Sequence, residues 1–286
     1  MASSRVDAKV RASGMANGIE DDSRPADQPA ARSIAAREAA GFALIAFALA
    51  WATLLPLILA GATVRGGALP THFPALAAPA AAALILAALR GGAALRAFLA
   101  RLFRGPEGAA GWLLAFTPLP VLILAAIVGD AAGLRVYSGL PLMPVLPWLA
   151  LIVVVNGIGE EAGWRGYLLP RLQTLWGPAA GTAATGLVWA LWHAPMFLVV
   201  ATYRAMDPWT AFFGFGLGIL AGAFVLAHLT ALARGGIMPA VLWHTLFNLA
   251  TATAVGGPAA PILTVLAIGW ALWLLRRPDR LAVPPR

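Results

Sequence analysis

The sequence has no cysteine, which excludes disulfides, thiolate nucleophiles and thiolate metal ligands and leaves an oxygen or an activated water as the nucleophile of any hydrolysis. Lysine is nearly missing as well: nineteen of the twenty basic residues are arginine. Charge of either sign is scarce, at 11% of residues against 60% hydrophobic, and the mean hydropathy of +0.81 excludes an ordinary soluble domain. The apolar runs are continuous rather than alternating, which argues for membrane helices and against a barrel. A net charge of +8 could suggest nucleic acid. The arginines are scattered through tails and connections without a compact patch, so they read as membrane topology and no nucleic-acid partner is expected.

What is present is a polytopic helix bundle. Residues 1–37 are polar and rich in Ala, Ser, Asp, Arg and Pro, and are expected to form a disordered cytoplasmic tail. That segment carries both signs of charge, so the first apolar run is read as a permanent helix rather than a cleaved signal. A helical membrane domain is expected over 38–276, with a short basic tail over 277–286. Within it, apolar runs near 39–59, 73–89, 111–128, 145–161, 179–201, 210–232, 238–255 and 259–275 give about eight spans. Seventeen of the twenty Lys and Arg residues fall on one side of this arrangement and three on the other. Both termini are therefore predicted to be cytoplasmic, in the inner membrane of a bacterium whose Arg-rich, Lys-poor, Ala-rich composition fits a GC-rich genome.

Five acidic residues lie between Ala39 and Leu275, and Glu107, Asp130 and Asp207 fall in or beside predicted connections. The other two are adjacent, Glu160 and Glu161, at the cytoplasmic end of the fourth predicted span. A charged side chain in the bilayer is disfavoured by about 2.5 to 3.5 kcal/mol, so this pair requires partners or a wet cavity. Glu161 and Arg165 are four residues apart and share a helical stripe. Glu160 points about 100° away, free to face a cavity and act as a general base. The bland alternative is an interfacial cluster at a helix end.

Two histidines stand in apolar runs with a companion one turn away, Trp189 with His193 and His244 with Asn248. Such faces can polarise water and stabilise an oxyanion, or serve only as hydrogen-bond glue between helices. Glu160, His193 and His244 also match the carboxylate and imidazole set of some catalytic zinc sites, although no His-Glu-x-x-His is present. His72 and His228 lack companions and are read as structural. Gly214, Gly218 and Gly222, at every fourth residue, read as a helix-packing stripe.

The run from Glu160 to Leu172 resembles the Glu-Glu-x-x-x-Arg motif of the CPBP family, which includes the type II CAAX prenyl endopeptidases and bacterial proteins linked to bacteriocin processing or self-immunity. Trp189-x-x-x-His193 resembles its Phe-x-x-x-His motif with Trp in place of Phe, and His244-x-x-x-Asn248 resembles the later His-x-x-x-Asn. The resemblance covers about 145–255. It implies an intramembrane endopeptidase in which Glu160 activates water with help from His193, while His244 and Asn248 form the oxyanion site and Glu161 and Arg165 support them. The Trp189 departure is expected to touch packing more than chemistry. The family is described both as metal-dependent and as glutamate-dependent, so a zinc ion on Glu160, His193 and His244 stays open. The implied partner is a peptide or protein substrate, membrane-bound or lipidated, reached through a cavity opening toward the cytoplasm. The competing readings are a non-catalytic scaffold or immunity protein of the same fold and a proton-coupled transporter.

Overall fold

The fold is described here from a computed structural model, over residues 27–65, 70–131, 150–252 and 256–284. It is a helical bundle, and the described residues contain no strand beyond one isolated bridge between Val64 and Val200. Three helical stretches are long and apolar enough to cross a membrane, at Pro29–Leu59, Ala150–Val199 and Thr210–Leu232, and two shorter apolar helices accompany them at Ala78–Leu89 and Ala259–Leu275. The protein is a membrane protein.

Helix α1 spans Asp27–Leu59 and so starts inside the segment expected to be a disordered tail. Its first turns are rich in alanine, the strongest helix former, and Glu38 ties them down by bonding Arg90 and Arg171 at 3.0 and 2.7 Å. The second predicted run divides into α2 (Phe73–Leu76) and α3 (Ala78–Leu89). The basic connection after it contains a further helix, α4 (Gly92–Leu102), with Phe98 and Leu102 buried and Arg101 in its last turn. The third run divides at Pro118 into α5 (Ala109–Ala115) and α6 (Pro118–Ala131), because proline supplies no amide donor and disfavours helical geometry in the residue before it.

The largest departure concerns the fourth and fifth runs. The predicted end at Glu161 does not occur: helical structure continues from Ala150 to Trp192. It comprises a π-helical segment Val153–Ile158, α7 (Gly159–Gly163), a second π-helical segment Trp164–Leu168, and α8 (Leu169–Trp192). Arg165 and Arg171, expected in a connection, are thus helical and buried. The reversal comes inside α8 at Gly177, whose φ of +79° suits glycine, followed by Pro178. After short turns α9 (Met196–Val199) and α10 (Ala201–Arg204), the chain enters a third π-helical segment Thr210–Gly216, then α11 (Leu217–Leu232), α12 (Met238–Ala252) and α13 (Gly256–Leu275). The basic tail is not loose. Leu281 and Val283 are buried, and the Gln173 side chain donates to the Leu281 carbonyl and accepts from the Val283 amide.

Packing puts α7 at the centre, between α3 on one side and α12 beyond the first π-helical segment, while α8 lies between α1 and α11. The approach of α3 is close: a Cβ on Gly163 would meet the carbonyl group of Pro79 at 2.6 Å. The first and fifth connections meet through the Val64–Val200 bridge, and the second and sixth through an Arg234–Glu107 ion pair of 3.0 Å. Connections that the arginine count puts on one side of the membrane therefore touch one another.

Candidate functional site

Within α7, Glu160 is 2% and Glu161 0% exposed, and Arg165 one turn later is 0% exposed. π-helical turns on both sides of this pair are a local irregularity that recurs at functional sites. Arg171, whose guanidinium meets Glu38 near the start of α1, lies eleven residues further on, about 16 Å along the helix at 1.5 Å per residue. The acidic pair is thus well inside the bundle, not at the helix end expected from the sequence.

The Glu161–Arg165 pair is present, with Arg165 Nη1 donating to Glu161 Oε1 at 2.9 Å. The same oxygen accepts from His244 Nδ1 at 2.8 Å across from α12. A carboxylate oxygen at this distance receives the proton, so His244 carries hydrogen on Nδ1 and directs Nε2 away from Glu161. Asn248 lies one turn further along α12.

Glu160 is held differently. Trp189 Nε1 donates to its Oε2 at 2.7 Å from the facing helix α8, and among the described residues no hydrogen bond reaches Oε1. His193 caps the end of α8 rather than standing in mid-run as expected. There the helix tightens: the His193 amide turns back to Ala190, and the Trp189 carbonyl loses its usual donor. His193 Nδ1 takes that place, donating to the Trp189 carbonyl at 2.8 Å. In the neutral ring Nε2 is then an acceptor.

Trp189 therefore touches four groups of the site, Glu160, His193, Arg165 and His244. Its indole donates to Glu160, its carbonyl holds His193, the Arg165 guanidinium lies 4.2 Å from its ring centre, and the His244 ring meets it edge to face at 5.3 Å. The sequence places Trp189 beside His193 as a supporting residue, with its departure from Phe expected to touch packing more than chemistry. The bond to Glu160 requires an indole N–H, which a phenylalanine at the same position would lack. Asn156, one turn before Glu160, also escaped the sequence reading, although its Oδ1 is buried and has no partner among the described residues. Next to His193, the rings of Tyr203, Phe197 and Phe215 form an apolar wall with centroids 5.0 to 5.2 Å apart. His228, in contrast, donates to the Arg280 carbonyl at 2.9 Å and belongs to the packing of the C-terminal segment.

Among the described residues no three His, Cys, Asp or Glu side chains gather closely enough to hold a metal ion, so the zinc arrangement on Glu160, His193 and His244 is not seen here.

Residues 142–250 match the family model described as Type II CAAX prenyl endopeptidase Rce1-like, and this span contains Glu160, Glu161, Arg165, Trp189, His193, His244 and Asn248. This stretch of the chain is similar to the CPBP/CAAX protease family. Over 143 residues, 47% of the chain, it is 26% identical to CAAX prenyl protease 2 of Methanococcus maripaludis. The chain spans about half of that relative's length, 53%.

Proposed function

We propose that this protein is an intramembrane endopeptidase that hydrolyses a peptide bond of a membrane-bound, lipidated or unmodified, protein substrate with a water activated by Glu160. The observation that carries the reading is the asymmetry of the acidic pair. Among the described residues, Glu161 Oε1 accepts from both Arg165 and His244 while its Oε2 is buried without a partner. Glu160, in contrast, meets no cation among them and accepts only the Trp189 indole on Oε2, so that its Oε1 is the oxygen read as holding the water.

In this reading the water on Oε1 gives its proton to Glu160 as its oxygen attacks the carbonyl carbon. His193 Nε2, an acceptor, orients that water from the other side. The carbonyl oxygen gains charge and is received by Asn248 and by His244 Nε2 when that ring is protonated on both nitrogens, with Glu161 holding the ring. The proton on Glu160 then passes to the leaving amine as the carbon–nitrogen bond breaks. No step needs a metal. The protein is proposed to lie in the inner membrane with its site reached from the cytoplasm, a sidedness that rests on the arginine bias.

Detergent-purified protein is to be incubated with a fluorogenic peptide library that includes lipidated members, and the products weighed by mass spectrometry. The expected result is hydrolysis at one internal peptide bond, unchanged by a strong chelator. An intact library, lipidated members included, would overturn the assignment.

A further inference from the structure

Outside the motif site, the structure has a second concentration of charge with the opposite imbalance. A cavity of about 170 Å³ opens between α4 and the end of the second π-helical segment, and its lining includes Arg90, Arg101, Arg171, Phe98 and Tyr167. Glu38 is the carboxylate bound to these arginines, bridging Arg90 and Arg171, so three guanidiniums face one carboxylate. Arg171 is further tied to the Tyr167 carbonyl at 2.7 Å and stacks 3.4 Å from the Tyr167 ring centre. Arg101 is the guanidinium left over: its Nε is buried and has no hydrogen-bond partner among the described residues. Burial, followed by the charges of Arg171, Arg104 and Arg90, holds Arg101 below the ordinary guanidinium value, although arginine stays charged. This corner is short of an anion.

Two features identify the anion. The cavity is smaller than the roughly 300 to 1,000 Å³ of a pocket for a drug-sized ligand, and suits a compact group with several acceptor oxygens, which is what a fork of guanidiniums recognises best. The flanking helix surfaces are apolar and open: Leu89 next to Arg90, Leu99 within α4 and Phe103 just after it are 78%, 38% and 65% exposed, as expected of side chains beside acyl chains. Basic pockets at the ends of membrane helices bind anionic headgroups in this way.

We infer that the cavity lined by Arg90, Arg101 and Arg171 is a binding site for a phosphate group, supplied by the headgroup of an anionic phospholipid. The bound phosphate would fasten α4 to the helix that carries Glu160 and Glu161. The contact surface for this is already tight, since a Cβ on Gly166 would lie 3.2 Å from Leu102, and Phe98 meets Tyr167 edge to face.

The full chain in neutral detergent is to be titrated with phosphatidylglycerol, and separately with inorganic phosphate, with the complex read by native mass spectrometry. One lipid is expected to bind saturably. Removing one charge-assisted contact in Arg101→Gln, or in the half-exposed Arg90→Gln where folding is safer, should weaken binding about tenfold. Arg96→Gln, an exposed residue of the same helix that does not line the cavity, should leave binding unchanged. Phosphate that competes with the lipid would support the site and place its chemistry in the phosphate group. Phosphate binding without any lipid binding would overturn the lipid source. Equal loss in Arg96→Gln, or no loss in both Arg101→Gln and Arg90→Gln, would overturn the site.

Discussion

The motif site and the basic corner are built from the same residue types on one continuous helix, eleven residues apart from Glu160 to Arg171, yet their imbalances are opposite. At the site two carboxylates share one guanidinium, and two imidazoles and an indole complete the set. At the corner one carboxylate bridges two guanidiniums and a third is left over, partly open to the surroundings. Burial makes the difference consequential. A charge deep in the bundle is tolerated when it is paired, so the site is a connected set in which Glu161 Oε1 serves both Arg165 and His244 and Trp189 serves both Glu160 and His193. At the corner, solvent and headgroups can supply what the protein lacks, and loose pairing is tolerated.

The comparison predicts unequal costs for the same kind of deletion. Arg165→Met should destabilise the protein by about 3 to 5 kcal/mol, because it strands the buried Glu161 carboxylate; thermal unfolding in detergent reads this, and a near-native melting temperature would break the contrast. Trp189→Phe keeps an aromatic body and removes only the donor to Glu160, a bond to a charged group worth about 1.5 to 3 kcal/mol. The cleavage rate is expected to fall at least about tenfold with a smaller loss of melting temperature than in Arg165→Met, and a rate equal to that of the original protein would leave Trp189 with no part in positioning Glu160. Glu38→Gln, with its carboxylate only partly covered, should cost about 1 kcal/mol or less. The sidedness of the comparison is testable in a chain without native cysteine. A cysteine at Arg96 should react with a membrane-impermeant maleimide from the cytoplasm, one at Arg204 from the opposite face, and the reverse pattern would invert the topology.

Much of the site could be read from the sequence, because its chemistry is carried by rare residues. Adjacent carboxylates in an apolar run and two histidines with companions four residues away stand out against a background of Ala, Leu and Val. The helical stripe predicted the Glu161–Arg165 contact, which forms within one helix. The contacts between helices were not readable. Nothing in the spacing says that the Trp189 indole reaches Glu160 or that His244 selects Glu161, since both depend on how α8 and α12 pack on α7. The fold was misread where hydropathy and helicity part company. Arg165, Tyr167 and Arg171 interrupt the apolar run and looked like a connection, but Arg165 pairs with Glu161, Arg171 pairs with Glu38 and stacks on the Tyr167 ring, and the helix continues to Gly177. The helix α4 was hidden for the same reason: four arginines marked 90–104 as a loop, while Phe98 and Leu102 on its inner face fasten it to the bundle.

The central claim is that Glu160 is the base. The direct test is the single-turnover cleavage rate of Glu160→Gln, measured on protein whose helicity and melting temperature match the original. The side chain keeps its shape and an acceptor for the Trp189 indole but can no longer take a proton from water. The account predicts a loss of about 10² to 10⁴ in rate, the range typical of a deleted general base. A rate within about tenfold of the original would contradict it and assign the base to another residue.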